Sequence, residues 1–161
     1  MRFLRTAKNG QVFHLSQREK QLLFETLKLY PLVPASHHRL SKGKATAQAD
    51  ENQRLLEESL AEQRAANRRQ VLAMLNESER LCEIKSGFEL ALAPGDLEWL
   101  LQALNDVRVG SWLKLGEPEQ GDEPQVNAHN AKYLIALELA GMFESVLLSA
   151  LGMNESPEWI G

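Results

Sequence analysis

Residues 94–116 read PGDLEWLLQALNDVRVGSWLKLG, and their apolar positions recur with the spacing of an α-helix. Pro94 suits the first turn of that helix, and Gly116 is a typical helix terminator. Arg108 falls within the apolar arc, whereas Asp106 points the opposite way. We therefore expect Arg108 to be buried. The arc comprises Leu97, Leu100, Leu101, Leu104, Val107, Trp112 and Leu115.

A second apolar helix is predicted at residues 127–151, where Gly152 ends it. Glu144 lies in the middle of its apolar stripe, so we expect this carboxylate to be buried as well. The stripe comprises Tyr133, Leu137, Ala140, Leu148 and Leu151.

Residues 133–151 are apolar nearly all round, which is compatible with a membrane span. Glu138, Glu144, Ser145 and Ser149 interrupt the run, and Glu138 groups with the two serines on the helical wheel. These polar positions favour a central helix in a water-soluble bundle.

Two opposite charges in one core predict an ion pair between Arg108 and Glu144, because a lone buried charge costs several kcal/mol by order of magnitude. Asn67 and Arg64, on the polar centre of a long helix, are expected to supply further hydrogen bonds. Such a buried polar cluster is most simply a device that fixes helix register. The alternative is a pocket open to water, in which Arg108 anchors a small anion.

The remaining chain predicts two short hairpins and two further helices. Asn9-Gly10 is a hairpin turn signal, and Ser16 with Glu19 forms a capping box. The predicted elements are a hairpin of residues 3–6 and 11–15, a helix of residues 16–30, a helix of residues 51–75 capped by Asp50, and a hairpin of residues 81–84 and 88–92.

These elements predict an α+β, mostly α fold: a four-helix bundle-like domain with one or two short β-hairpins. We expect a single domain at residues 1–152, with a mobile loop at 34–49, followed by a C-terminal tail at 153–161. The chain has 161 residues, of which 43% are hydrophobic, and this is enough for one core.

Composition bears on the compartment and on partners. Cys82 is the only cysteine, which excludes a disulfide scaffold and predicts a cytoplasmic protein.

The charges are distributed unevenly along the chain. Residues 1–49 hold nine Lys/Arg and two Asp/Glu, whereas residues 50–161 hold nine Lys/Arg and twenty Asp/Glu. Internal attraction between the halves is the favoured interpretation, and the alternative is that the two halves face different partners.

No catalytic, metal or cofactor motif is apparent, so we predict a protein that is not an enzyme. Glu-x-x-His, a nucleophile elbow and a phosphate loop are all missing from the sequence. His37 and His38 are expected to be a surface pair, and His14 and His129 have no motif partner. Cys82 is expected to be a packed strand or loop residue.

Basic residues offer contacts to a phosphate backbone, chiefly Arg39, Lys42 and Lys44. Arg64, Arg68 and Arg69 could add to them. Nucleic-acid binding is nevertheless not favoured, because no helix-turn-helix signature accompanies these residues.

The order of several short motifs resembles a bacterial domain-of-unknown-function family that is labelled as similar to an actinomycete oxidative-stress regulator. The most specific are Leu104-Asn105-Asp106-Val107-Arg108 and Glu144-Ser145; the others are Arg2-Phe3, Asn9-Gly10, Leu15-Ser16 with Glu19, Leu22-Leu23, Arg64, Asn67, Val71-Leu72, Trp99-Leu100, Ala103 and Val146-Leu147. The resemblance implies a cytoplasmic, mainly helical regulatory protein with no established enzymatic activity. The family label involves cysteine redox chemistry, from which this chain departs by having only Cys82.

We therefore expect a regulatory or protein-interaction role, with a protein partner, no membrane and no cofactor. A homo-oligomer stays open. The two alternatives are a DNA-binding transcriptional regulator linked to stress response and a small-anion sensor that uses the Arg/Glu/Asn cluster.

Overall fold

The computed structural model describes residues 1–34, 47–77 and 79–152. The predicted tail at 153–161 and most of the predicted loop at 34–49 lie outside these residues. The elements in chain order are β1 (Arg2–Ala7), β2 (Gly10–Leu15), α1 (Gln17–Leu27), α2 (Ala47–Asn76), β3 (Leu81–Ile84), β4 (Gly87–Leu92), α3 (Pro94–Lys114) and α4 (Ala131–Gly152).

The four strands form one antiparallel sheet in the order β1-β2-β4-β3. The two predicted hairpins are both present, but β2 also pairs with β4, from Gln11 opposite Leu92 to Leu15 opposite Phe88. The predicted four-helix bundle-like domain with one or two short β-hairpins is therefore wrong. The fold is an α+β domain in which the helices pack on a continuous four-stranded sheet.

The joined sheet has a physical cause in the alternation of β2 and β4. Phe13, Leu15, Phe88, Leu90 and Leu92 are all buried in one core with residues of the four helices. A two-stranded hairpin has too little apolar surface to be stable alone. Pairing β2 with β4 gives both hairpins a shared apolar face that the helices cover.

The helix start predicted from the sequence is confirmed for α1 and wrong for α2 and α4. The capping box at α1 is confirmed, since Glu19 N donates to Ser16 Oγ at 3.1 Å and Ser16 N donates to Glu19 Oε1 at 2.9 Å. The predicted cap at Asp50 is wrong, because α2 begins at Ala47 and places Asp50 within its first turn. The start predicted at residue 127 is a turn, in which Asn127 Oδ1 accepts from the backbone N–H groups of His129 and Asn130.

The buried residues of α2 lie near its C-terminal end and are Val71, Met74 and Leu75. Helices α3 and α4 pack against each other and against the sheet, and the candidate site lies on them. Helix α4 is also long and apolar enough, by length and composition only, to cross a membrane. A third of the most apolar 18-residue stretch of α4 is buried within the protein, as expected for a helix with one side in the core.

Candidate functional site

Arg108 on α3 and Glu144 on α4 form the predicted ion pair, with Nη1 and Oε2 3.1 Å apart. Glu144 is buried as expected, with 7% of its side chain exposed. Its second oxygen, Oε1, is also buried and has no hydrogen-bond donor among the described residues. The carboxylate is therefore held by a single charged partner.

The expected burial of Arg108 is wrong, because 53% of its side chain is exposed. Trp112, one helical turn further, is also exposed and donates through Nε1 to the Pro118 carbonyl at 3.0 Å. A wheel gives the direction of a side chain but not its reach. The long stem of arginine allows the guanidinium to meet Glu144 and water at once.

A groove of about 450 Å³ lies beside this ion pair, between α3 and α4. Its lining is mainly apolar, with Arg108 and Asn105 as the polar groups. Val109, Trp112 and Leu137 complete the wall. A half-exposed guanidinium at such a wall can bind an anionic or carbonyl group.

Arg64 and Asn67 do not join this pair, so the predicted four-residue cluster is wrong. Arg64 Nη2 instead lies 3.0 Å from Asp106 Oδ2, on the opposite side of α3. Asn67 forms a side-chain hydrogen bond with Tyr30, whose pKa is raised by burial and held back in part by that bond. Two residues along a helix turn by about 200°, so Asp106 and Arg108 necessarily serve different neighbours.

Asp106 also anchors the segment that follows α1. Its Oδ1 accepts from the backbone N–H groups of Leu32 at 2.6 Å and Val33 at 3.3 Å. With Arg64 on its other oxygen, this carboxylate joins α2, α3 and the 30–33 segment. The outward direction of Asp106 was visible in the sequence, but nothing local indicated which distant groups would meet it.

One exposed surface of α4, part apolar and part polar, was not indicated by the sequence. We call it the outer face and define it by Ile135, Glu138, Met142, Ser145 and Leu148. Its three large apolar side chains are 58%, 47% and 54% exposed at Ile135, Met142 and Leu148. Leu148 was expected in the buried stripe with Glu144, and that expectation is wrong. The apolar character of nearly every α4 position concealed which side lacks a neighbour.

A family model described as "Domain of unknown function (DUF2017)" matches residues 31–151, well over half of the chain. The chain belongs to the DUF2017 family. No curated protein and no solved structure matches it. The predicted membership of a domain-of-unknown-function family is thus confirmed, while the bacterial source and the oxidative-stress label stay predictions.

The match to DUF2017 includes both members of the Arg108–Glu144 pair, the groove and the outer face of α4. It begins after β1, β2 and α1, although β2 lies at the centre of the sheet. The candidate site thus lies in the matched segment, and part of the core supporting it lies outside.

The other predicted sites of this DUF2017 protein have mixed outcomes. Arg39, Lys42 and Lys44 lie outside the described residues, as do His37 and His38, so nucleic-acid contact by the loop stays a prediction. Arg64 is largely buried against Asp106, which removes it from the proposed phosphate contacts.

Cys82 is exposed on β3, and the expectation of a packed side chain is wrong. Among the described residues, no three His, Cys, Asp or Glu side chains are grouped so that they could hold a metal ion.

Proposed function

We propose that this DUF2017 domain is a non-enzymatic, cytoplasmic protein-interaction module whose contact surface is the outer face of α4. The observation that carries this proposal is the half-exposure of Ile135, Met142 and Leu148 on one side of one helix. Single exposed leucines are normal on protein surfaces, but three large apolar side chains exposed on one helix are candidates for an interaction site.

The rigidity of α4 supports the proposal. Its opposite side is fixed in the core by Phe143 and Leu147, which are fully buried, and by the Arg108–Glu144 pair. A contact surface on such a helix is preformed, so binding requires little ordering of the backbone. The ion pair then has a structural part in the function, since it holds α4 against α3.

Photo-crosslinking in cells tests this function. A photoreactive phenylalanine derivative at position 142 is expected to give protein adducts, and these should disappear when Ile135→Lys is added. The same derivative at position 58, exposed on α2, is the matched control and should not give these adducts. Identical adducts from both positions, or none from position 142, would overturn the proposal.

A small-ligand site in the α3–α4 groove is the second candidate function. It is favoured by the half-exposed Arg108 on the wall of a groove of about 450 Å³. The test is the thermal shift caused by a panel of small carboxylates and phosphates. A shift seen in the wild type and in Lys114→Gln, but not in Arg108→Gln, is the expected result for such a site, whereas equal shifts in all three proteins would contradict it.

A further inference from the structure

We propose that the groove between α3 and α4 binds a small organic monocarboxylate with an apolar body, whose carboxylate is held by the open edge of the Arg108 guanidinium. This inference rests on the second candidate function, a small-ligand site in this groove, and names the class of ligand. The volume of about 450 Å³ is typical of small-molecule sites. The grounds are the unused donors of Arg108, the apolar wall and the negative charges nearby.

Arg108 uses one of its three guanidinium nitrogens within the described part of the chain. Nη1 donates to Glu144 Oε2 at 3.1 Å, and this is the hydrogen bond that Arg108 makes to another described residue. The remaining nitrogens, Nε and Nη2, form the side edge of the guanidinium. The two N–H bonds of that edge are parallel and match the two oxygens of a carboxylate. Arg108 can therefore bind a ligand carboxylate while it stays bonded to Glu144.

Arg54 on α2 shows the same edge in use within this protein. Its Nε and Nη2 donate to the two carboxylate oxygens of Glu51, at 3.2 and 2.6 Å. Its Nη1 donates at the same time to Glu58 Oε1 at 2.6 Å, so one guanidinium holds two carboxylates. At Arg108, Glu144 takes the place of Glu58, and no described carboxylate takes the place of Glu51. A ligand carboxylate would complete the arrangement.

The wall of the groove is suited to hydrocarbon. Val109, Trp112 and Leu137 line it, and Asn105 is the polar lining residue besides Arg108. Trp112 Nε1 donates to the Pro118 carbonyl at 3.0 Å, which fixes the ring before a ligand arrives. A preset wall loses little side-chain freedom on binding. An aromatic or branched body removed from water against these side chains adds affinity that an inorganic anion lacks.

The charges around the groove favour a ligand with a single negative charge. Arg108 is the only cation among the described residues that line the groove, and Glu144 already offsets its charge. Residues 117–123, which hold Trp112 through Pro118, contain four more acidic residues. A phosphate dianion would meet about twice the repulsion of a carboxylate in these surroundings. An uncharged amide would gain much less from the guanidinium.

NMR titration of the full chain with three phenyl probes tests the ligand class. 3-Phenylpropionate is the carboxylate, 3-phenylpropionamide is its uncharged analogue, and phenyl phosphate is mainly a dianion near neutral pH. We expect 3-phenylpropionate to bind with a dissociation constant on the order of 1–10 mM, as for a ligand of about ten non-hydrogen atoms. The other two probes should bind at least about fivefold more weakly. The indole N–H signal of Trp112 should move on binding, which places the ligand in the groove.

Three variants separate the guanidinium edge from the apolar contacts. Arg108→Lys keeps a cation for Glu144 but removes the planar edge, so the affinity for 3-phenylpropionate should fall roughly tenfold and that for the amide should not. Asn105→Asp adds a negative charge at an exposed position of the wall and should weaken 3-phenylpropionate several-fold without disturbing the core. Lys114→Gln, at an exposed residue of the same helix outside the groove lining, is the control and should leave both affinities unchanged.

The outcomes also separate this inference from the functions on which it depends. Equal affinities for 3-phenylpropionate and its amide, or tighter binding of phenyl phosphate, would overturn the monocarboxylate and leave the groove as a ligand site. An affinity for 3-phenylpropionate that is the same in the wild type, Arg108→Lys and Asn105→Asp would overturn the part assigned to Arg108. If no probe binds at about 10 mM, both the inference and the second candidate function fail. The interaction function is tested separately by crosslinking from position 142.

Discussion

Arg108 and Glu144 contribute unequally to stability because they differ in exposure. Glu144 is buried with one oxygen unpartnered, and Arg108 keeps half of its side chain in water. Arg108→Met should therefore lower the free energy of unfolding by about 1–3 kcal/mol, since it leaves a buried carboxylate without its partner. Replacing both residues, as Arg108→Met with Glu144→Leu, should cost less than the sum of the single changes.

Urea denaturation of the wild type, the two single variants and the double variant measures this coupling. Lys114→Met, which removes an exposed charge near the end of the same helix, is the control and should change stability by less than about 0.5 kcal/mol. Additive losses in the double variant would show that the pair is not energetically coupled.

The individual residues also show which side-chain pairs one sequence can predict and which it cannot. Helical periodicity was enough to find the Arg108–Glu144 pair, because both charges interrupt apolar stripes. It was not enough to assign Arg64, whose partner Asp106 lies 42 positions away on the other side of α3. Angular position on a helix is local information, whereas the choice of a distant partner depends on the complete packing.

At the scale of elements, α3 contains two glycines with opposite surroundings. Gly110 faces Leu32, where an added Cβ would lie 2.6 Å from Cγ and 3.0 Å from the backbone carbon. Gly110→Ala should therefore destabilise the protein by about 1–3 kcal/mol, despite the better helix propensity of alanine. Gly95→Ala, with nothing within 4 Å, should be neutral or stabilising by up to about 1 kcal/mol. Melting temperatures of the two variants check this, and equal shifts would contradict the close contact at Leu32.

The sheet contains an ion pair that crosses its strands and makes stability depend on pH. Arg5 on β1 and Glu89 on β4 are 3.0 Å apart, and the hydrogen bond from Arg5 lowers the pKa of Glu89 below its ordinary value. The stabilisation that this ion pair gives is therefore present above the pKa of glutamate in the unfolded chain, about 4.3. It is lost as the pH falls through the lower pKa of Glu89 in the folded protein.

Arg5→Gln should consequently lower the melting temperature near neutral pH and have a shrinking effect as the pH falls below about 4. Melting curves across that range measure the difference from the wild type. Arg2→Gln removes the same formal charge from β1 and should show no such convergence. A constant difference for Arg5→Gln at all pH values would exclude the linkage to Glu89.

Element types were largely predictable here, and their assembly was not. Asn9-Gly10 and the alternating residues 88–92 indicated both hairpins, because turn chemistry and strand alternation are local. The pairing of β2 with β4 joins strands that are more than 70 residues apart, from Leu15 to Phe88. No local signal specifies such a partner, and only the shared need to bury Phe13 and Leu90 under the helices brings the two hairpins together.

At the scale of the whole molecule, the segment that matches the DUF2017 model does not contain the whole core. The family match covers residues 31–151, whereas β2 lies between β1 and β4 in the sheet. Residues 1–30 also supply Phe13 and Leu15 from β2, and Leu23 and Leu27 from α1, all with almost no exposure. Without residues 1–30, the core would lose these four large side chains and Tyr30, and β4 would become an edge strand that pairs only with β3.

A fragment of residues 31–151 should therefore retain helical circular dichroism but lose cooperative thermal unfolding, because its core is open on the side of the missing strand. Adding a peptide of residues 1–30 should restore a sigmoidal transition, and the same peptide with Phe13→Asp should fail to do so. The full chain is the reference in each measurement. If the fragment alone unfolds cooperatively at the melting temperature of the full chain, the first hairpin and α1 are accessory to the fold, and the sheet order β1-β2-β4-β3 has no energetic consequence for the site on α3 and α4.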